Sequence, residues 1–208
     1  LIGLVAFAIY PIFSSLYYSF TNYDLMSRSD WVGLRNYRNM LFENPRFWKA
    51  LRVTASYVFM GVPLQLTTAL ILALILNKGI PGLPVYRALF YVPSLMGGSV
   101  AISVLWRQLF GMSGIFNQFL FLIGAMDPAR PISWVTNPNY SIYTLIILHM
   151  WAFGSPMIIF LAGLKQIPTE LYEASSIDGA KGFRQFIHVT MPLLTPIIFF
   201  NMIMQIIS

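Results

Sequence analysis

The 208-residue sequence has no cysteine and few charged residues: 13 Lys+Arg and 7 Asp+Glu make up 10% of the chain, against about 25% in an ordinary soluble domain. Without cysteine there are no disulfides, no thiol nucleophile, no iron–sulfur cluster and no Cys-ligated zinc. The missing charge also excludes a disordered tail or a small secreted domain, because 57% of the residues are hydrophobic, with 17 Phe, 11 Tyr and 5 Trp. Mean hydropathy is +0.68, and that much apolar surface needs lipid as well as a core to cover it. The net charge of +6 sits in short segments between apolar runs. Phospholipid headgroups are therefore the expected counter-charge, and no nucleic acid is expected.

Two further absences narrow the function. The chain has no G-x-x-x-x-G-K-[ST] phosphate loop. Its long apolar runs also lack the acidic groups on which ion-coupled carriers and pumps depend. His149 is the one titratable base in them, and it is expected as a hydrogen-bonded structural residue. Any driving energy must come from elsewhere.

A bilayer core about 30 Å thick takes about 20 helical residues at 1.5 Å each. Uncharged runs suited to spanning helices begin at Leu1 and cover Val53 to Asn77, Ala88 to Trp106, Ser141 to Leu164, and the residues from Pro192 onward. The expectation is an all-α membrane protein with about five spanning helices. A proline at Pro192 suits a first helical turn. Residues 108–126 are uncharged, but Gly111, Ser113, Gly114, Asn117 and Gln118 favour a loop with a partial helix. Gly61 with Pro63, Pro93 with Gly97 and Gly98, and Gly154 with Pro156 mark either bends or close helix packing. No secretory leader is expected, because the opening run is too long and no small-residue cleavage pattern follows it.

Two polar segments interrupt these runs. In residues 22–52, Trp31, Leu34, Tyr37, Phe42, Phe47 and Trp48 alternate with Arg35, Arg38, Arg46, Lys49 and Arg52, and Asn44-Pro45 divides the segment. This pattern predicts an interfacial helical insert, with a small soluble cap as the alternative. Residues 165–191 mix both signs of charge. Pro168 and Thr169 can start a short helix there, with Glu170 and Glu173 near its positive end, and Asp178-Gly179 can stop it. A second helix places Phe183, Phe186, Ile187 and Thr190 on one side. Residue physics leaves two readings of this segment, a surface for docking another protein or an ordinary solvated loop.

The run Glu173-Ala174-Ser175, three residues, Gly179, nine residues, Val189-Thr190-Met191-Pro192 resembles the EAA loop of binding-protein-dependent ABC importers. It departs at Ser175, Val189 and Met191. The flanking Leu161-Ala162-Gly163-Leu164 and Ile167-Pro168-Thr169-Glu170-Leu171-Tyr172 are similar to the carbohydrate branch, the maltose and glycerol-3-phosphate type. So are Tyr10-Pro11, Trp31-Val32-Gly33-Leu34, Leu105-Trp106 and Asn117.

That resemblance implies a type I ABC importer transmembrane domain over 1–208, with a sixth helix outside these residues. It implies a bacterial or archaeal cytoplasmic membrane location with several passes. It also implies that residues 22–52 are extracytoplasmic and 165–191 cytoplasmic, with Glu173, Ala174, Ser175, Asp178, Gly179 and Lys181 meeting an ATPase. The chain itself would be no enzyme and would hold no cofactor or metal, with ATP and Mg on the partner. The implied partners are a second, homologous permease, two ABC ATPase subunits, an extracytoplasmic solute-binding protein and the lipid bilayer. Aromatic and amide side chains suited to a sugar path are Tyr57, Gln65, Trp151, Asn201 and Gln205; interfacial anchoring and helix bridging compete for the same residue types.

The charge count opposes this orientation. Eight basic residues fall outside (Arg28, Arg35, Arg38, Arg46, Lys49, Arg52, Arg107, Arg130) and five inside (Lys78, Arg87, Lys165, Lys181, Arg184), the reverse of the positive-inside rule. A basic outer mouth would instead steer an acidic or phosphorylated saccharide. The rival classes are an ion-coupled carrier or channel working without an ATPase, and a membrane scaffold.

Overall fold

The computed structural model describes residues 2–24, 29–79, 82–96 and 99–207. Arg28, from the charge count, and Gly97 and Gly98, from the expected bends, lie outside the described residues. The chain divides into two compact units, Leu1–Ala55 and Ser56–Ser208.

In the first unit, α1 runs Ile2–Ser19, and a two-residue antiparallel ribbon pairs β1 (Thr21–Asn22) with β2 (Asp30–Trp31). Asn36 closes the end of α1 by donating through Nδ2 to the carbonyls of Ser19 and Thr21, 2.9 Å each. Tyr37 reaches Ser19 at 2.6 Å, and Phe20 stacks on Trp31. Helix α2 occupies residues 35–43 and stops at Asn44, which is extended (φ −107°, ψ 97°) as a residue before proline prefers to be. Helix α3 then starts at once and runs Pro45–Asn77. At about 1.5 Å per residue it is about 50 Å long, longer than the hydrocarbon core. Arg46, Lys49 and Arg52 therefore extend the second spanning helix instead of forming a separate one.

The second unit continues with α4 (Leu83–Met96), α5 (Val100–Phe110), α6 (Ile115–Leu122), α7 (Ser141–Trp151), α8 (Gly154–Gln166), α9 (Thr169–Ile177) and α10 (Phe183–Ile207). Its core is a seam on α3: Val62, Leu66, Ala69, Ala73 and Leu76 recur every three or four residues. They pack against Met157, Phe160, Leu161 and Leu164 of α8 and Leu194 of α10. Gly163 lets α10 approach α8, since a Cβ there would collide with Ile197. Phe59, Val100 and Leu122 are mostly exposed, as a lipid-facing surface requires.

Among the described residues, α1, α3 and α10 are long and apolar enough to cross a membrane. The pair α7 and α8, bent by 43°, makes a fourth span if counted as one. The expected run Ala88 to Trp106 is shared between α4 and α5, on either side of residues 97 and 98. Pro63 lies within continuous α3. Pro192 does not open a new helix: α10 passes through it from Phe183.

The reason is a widened turn. Three π-helical turns, Val5–Ile9, Asn39–Glu43 and Phe186–Thr190, each end two residues before a proline, Pro11, Pro45 and Pro192. Proline brings no N–H and its ring crowds the carbonyl four residues back. A turn with i→i+5 bonding relaxes that crowding locally. It lets α1 and α10 continue through their prolines, while α2 ends at Asn44.

Candidate functional site

The segment 165–191 forms an exposed elbow between α8 and α10. Pro168 is extended and precedes α9, and Glu170 lies in the first turn of that helix, where a carboxylate meets the free N–H groups favourably. The helix ends in a complete Schellman motif. The Gly179 N–H donates to the Ser176 carbonyl at 3.1 Å and the Ala180 N–H to Ser175 at 2.9 Å, with Gly179 at φ +77°. A left-handed residue here is what glycine supplies without strain.

Gln185, at the start of α10, ties the two arms of the elbow together. Its Nε2 lies 3.1 Å from the Tyr172 carbonyl, 3.0 Å from Ser175 Oγ and 2.9 Å from Ser176 Oγ. The Tyr172 hydroxyl reaches Thr190 Oγ1 at 2.9 Å. Apart from Ser175, the sequence does not single out these residues for the site; their signal is an amide opposite a Ser-Ser pair across the five-residue turn 178–182.

The ties fix which way the remaining side chains point. Ser175 is turned half inward, while Glu173, Ala174, Asp178, Gly179 and Lys181 are exposed. Ile177 is 87% and Phe183 75% exposed. A side chain at Gly179 would meet nothing within 4 Å. A cavity of about 660 Å³ behind the elbow is lined by Asn77 and Lys78 at the end of α3, Leu164 of α8, and Tyr172, Gln185 and Thr190. The cavity thus lies between the elbow and the ends of two core helices, α3 and α8.

The five pathway candidates are distributed differently. Tyr57 and Gln65 lie two turns apart on α3. The Tyr57 ring stands 5.3 Å from His149, and a Cβ on Gly61, between them, would lie 3.3 Å from His149 Cδ2. Gln65, 2% exposed, donates through Nε2 to the Ala152 carbonyl at 3.0 Å. Trp151 packs beside Trp106, whose Nε1 donates to the Thr144 carbonyl at 3.2 Å. Asn201 (1% exposed) and half-buried Gln205 lie one turn apart on α10.

Among the described residues, Gln65 Oε1, His149 Nε2 and Asn201 Nδ2 are buried with no hydrogen-bond partner. The cavity between α3 and α10, about 490 Å³, is lined by Val58, Val62, Leu66, Ile198 and Met202 among others, and includes none of the five. Another amide, Asn117, is fully buried as a hub: Nδ2 donates to Met112 and Ile132 carbonyls at 2.8 and 2.7 Å, and Oδ1 accepts from Trp134 Nε1 at 2.6 Å.

Residues 42–208, most of the chain and the whole elbow, match the model of the family described as binding-protein-dependent transport system inner membrane component. This chain belongs to that family. Family membership and the apolar helices together make it a membrane protein. It is 48% identical over 208 residues to the "Probable ABC transporter permease protein YesP" of Bacillus subtilis, covering 100% of this chain and 66% of that one. It is 35% identical to the lactose transport system permease protein LacF of Rhizobium radiobacter, covering 95% and 65%. The trehalose/maltose transport system permease protein MalF of Thermococcus litoralis is 32% identical, with 97% and 68% covered. The chain thus spans just under two thirds of the length of the first two of these relatives. A crystal structure of a bacterial ABC transporter involved in import of the polysaccharide alginate has the same fold, with a TM-score of 0.79 at 22% identity, covering 98% of this chain and 68% of that one.

Proposed function

We propose that the chain is a permease subunit of an ATP-driven, binding-protein-dependent importer of a sugar or oligosaccharide, multi-pass in a bacterial or archaeal cytoplasmic membrane. It forms half of the translocation path with a second, homologous permease. It performs no catalysis: two separate ABC ATPase subunits bind ATP and Mg, and an extracytoplasmic protein delivers the solute. The carbohydrate class is supported by relatives named for lactose and for trehalose and maltose.

The observation that carries this reading is the elbow. It is braced from within by Gln185 and Tyr172 and leaves Leu171, Ile177 and the space over Gly179 exposed. Exposed apolar side chains rimmed by Glu173, Asp178 and Lys181 are suited to a protein partner. Closure of an ATPase on α9 would press the cavity behind it against the ends of α3 and α8.

The test is uptake in vesicles together with recovery of the ATPase on the purified permease. Glu173→Lys is expected to leave the chain inserted and the second permease bound, while ATPase recovery and solute uptake are lost. Normal uptake by this variant sinks the docking role. A reporter fused within 165–188 reads cytoplasmic on this proposal, against the charge count. The rival reading without an ATPase predicts a stable lone oligomer that transports after the ATPase is stripped.

A further inference from the structure

Helices α7 and α8 bend by 43° across Ala152 and Phe153. In an unbroken helix the Ala152 carbonyl would accept from the N–H of residue 156, but that residue is Pro156, which has none. The neighbouring Phe153 carbonyl is satisfied by the Met157 N–H at 3.0 Å, and the Ala152 N–H by the His149 carbonyl at 3.0 Å. An orphaned carbonyl in the membrane interior is costly unless a side chain or water reaches it. Gln65 on α3, 87 residues away in sequence and 2% exposed, donates to it through Nε2 at 3.0 Å.

We infer that Gln65 is a positioning residue that sets the bend between α7 and α8 by supplying the hydrogen bond that Pro156 removes. Gly61, one turn before Gln65, leaves room for the His149 ring, so the Tyr57–Gly61–Gln65 face of α3 lies against the end of α7. Gly154, just past the bend, has no room for a Cβ beside Ser94 and the Phe90 carbonyl of α4. The bend is thus held from two sides, and only the α3 side is a single replaceable hydrogen bond. Gln65 is accordingly a latch on the broken helix, and its loss frees the angle that carries Trp151.

The absence of cysteine from the chain makes the test direct. Spin labels on Leu145→Cys of α7 and Ala162→Cys of α8, both exposed positions, report the distance across the bend in the assembled complex in proteoliposomes. Gln65→Met keeps length and apolar volume but cannot donate. It is expected to shift or broaden that distance and to lower solute uptake by about three- to fifteen-fold, the range of interhelical hydrogen bonds in membranes. In a Pro156→Ala background the helix regains its own N–H, so Gln65→Met is expected to change neither distance nor uptake further. If Gln65→Met alone fails to assemble, Pro156→Ala is expected to restore assembly.

An unchanged distance in Gln65→Met, equal effects in both backgrounds, or failure of Pro156→Ala to rescue assembly would each overturn the inference. The uptake arm rests on the transport reading, whereas the distance arm does not. Distances that follow the pattern in a protein that moves no solute support the latch and count against transport.

Discussion

The second unit interrupts its helices in two ways. At Ala152 the interruption is half-buried and incomplete: proline removes a donor, and the missing bond comes from buried Gln65 on a distant helix. At Asp178 to Gly182 it is exposed and complete in itself: the Schellman bonds, the positive φ of Gly179 and the amide of Gln185 all come from within about a dozen residues. In lipid an unmet carbonyl has to find a partner in the protein, so a buried break couples two helices. In water the same break needs no such help. Its outer face is left free for another molecule.

Even the glycines of the two breaks serve different ends. Gly154 is there for space, because any Cβ would collide with Ser94, whereas Gly179 is there for conformation, because its surroundings are open. The strongest way to break the comparison is therefore Gly154→Leu, which forces four carbons between α4 and α8. It is expected to cost about 3 kcal/mol, the upper range for overpacking a tight interior, read as loss of folded protein after extraction and a lower midpoint of thermal unfolding. If Gly154→Leu proves as stable as the parent, α4 and α8 do not approach as closely as described. Next in size is Ile177→Asp on the outer face of the elbow. The folded chain should be unaffected, since Ile177 is 87% exposed, but affinity for the ATPase should fall by about 2 kcal/mol, the scale of an interface anchor. Titrating ATPase onto the permease in detergent measures it. Unaltered affinity would mean that the partner grips elsewhere.

How far each interruption can be read from sequence follows the same division. The elbow is local chemistry. Pro168 at the entry, Glu170 in the first turn and Asp178-Gly179 at the exit are enough to place α9, and the structure puts its boundaries at those residues. The spanning run on α3 is equally legible, because Val53 to Asn77 carries no charge over more than the length a bilayer core needs.

What hides from sequence is whatever depends on a distant partner or on a turn of unusual width. Gln65 reads as a residue for a sugar path, and only the fold brings it to the carbonyl that Pro156 leaves open. Pro192 reads as a helix start, yet the π-helical turn Phe186–Thr190 carries α10 through it. Asn117 stands out as a landmark, but its role as a hub with three partners needs Ile132 and Trp134 folded back onto it.

Substitutions at Gly179 sharpen the comparison at smaller cost. At φ +77° an ordinary L-residue is strained by about 1–2 kcal/mol. Asn, which tolerates the left-handed region, should cost much less. The expected order of stability is Gly, then Asn, then Leu, in contrast to Gly154, where side-chain volume decides the outcome. Thermal unfolding of the parent and the two variants checks it. Leu at Gly179 as harmful as Leu at Gly154 would show that the turn is not open.

The smallest effect is expected for Gln185→Ala. The Gln185 amide faces three acceptors, but an NH2 group has two hydrogens, so the variant loses at most two bonds at a half-buried site. That is about 1 kcal/mol of local stability, too little to unfold the chain, while Schellman bonds and the Tyr172–Thr190 contact still hold α9 near its place. Hydrogen exchange should therefore quicken about fivefold in the amides of residues 174–180 and stay unchanged in α8. Because the elbow carries its own bracing, the disturbance should also stop short of the Ala152 bend. If exchange quickens there too, the two interruptions are one mechanical unit, and the elbow reaches the membrane interior more directly than through the ends of α3 and α8.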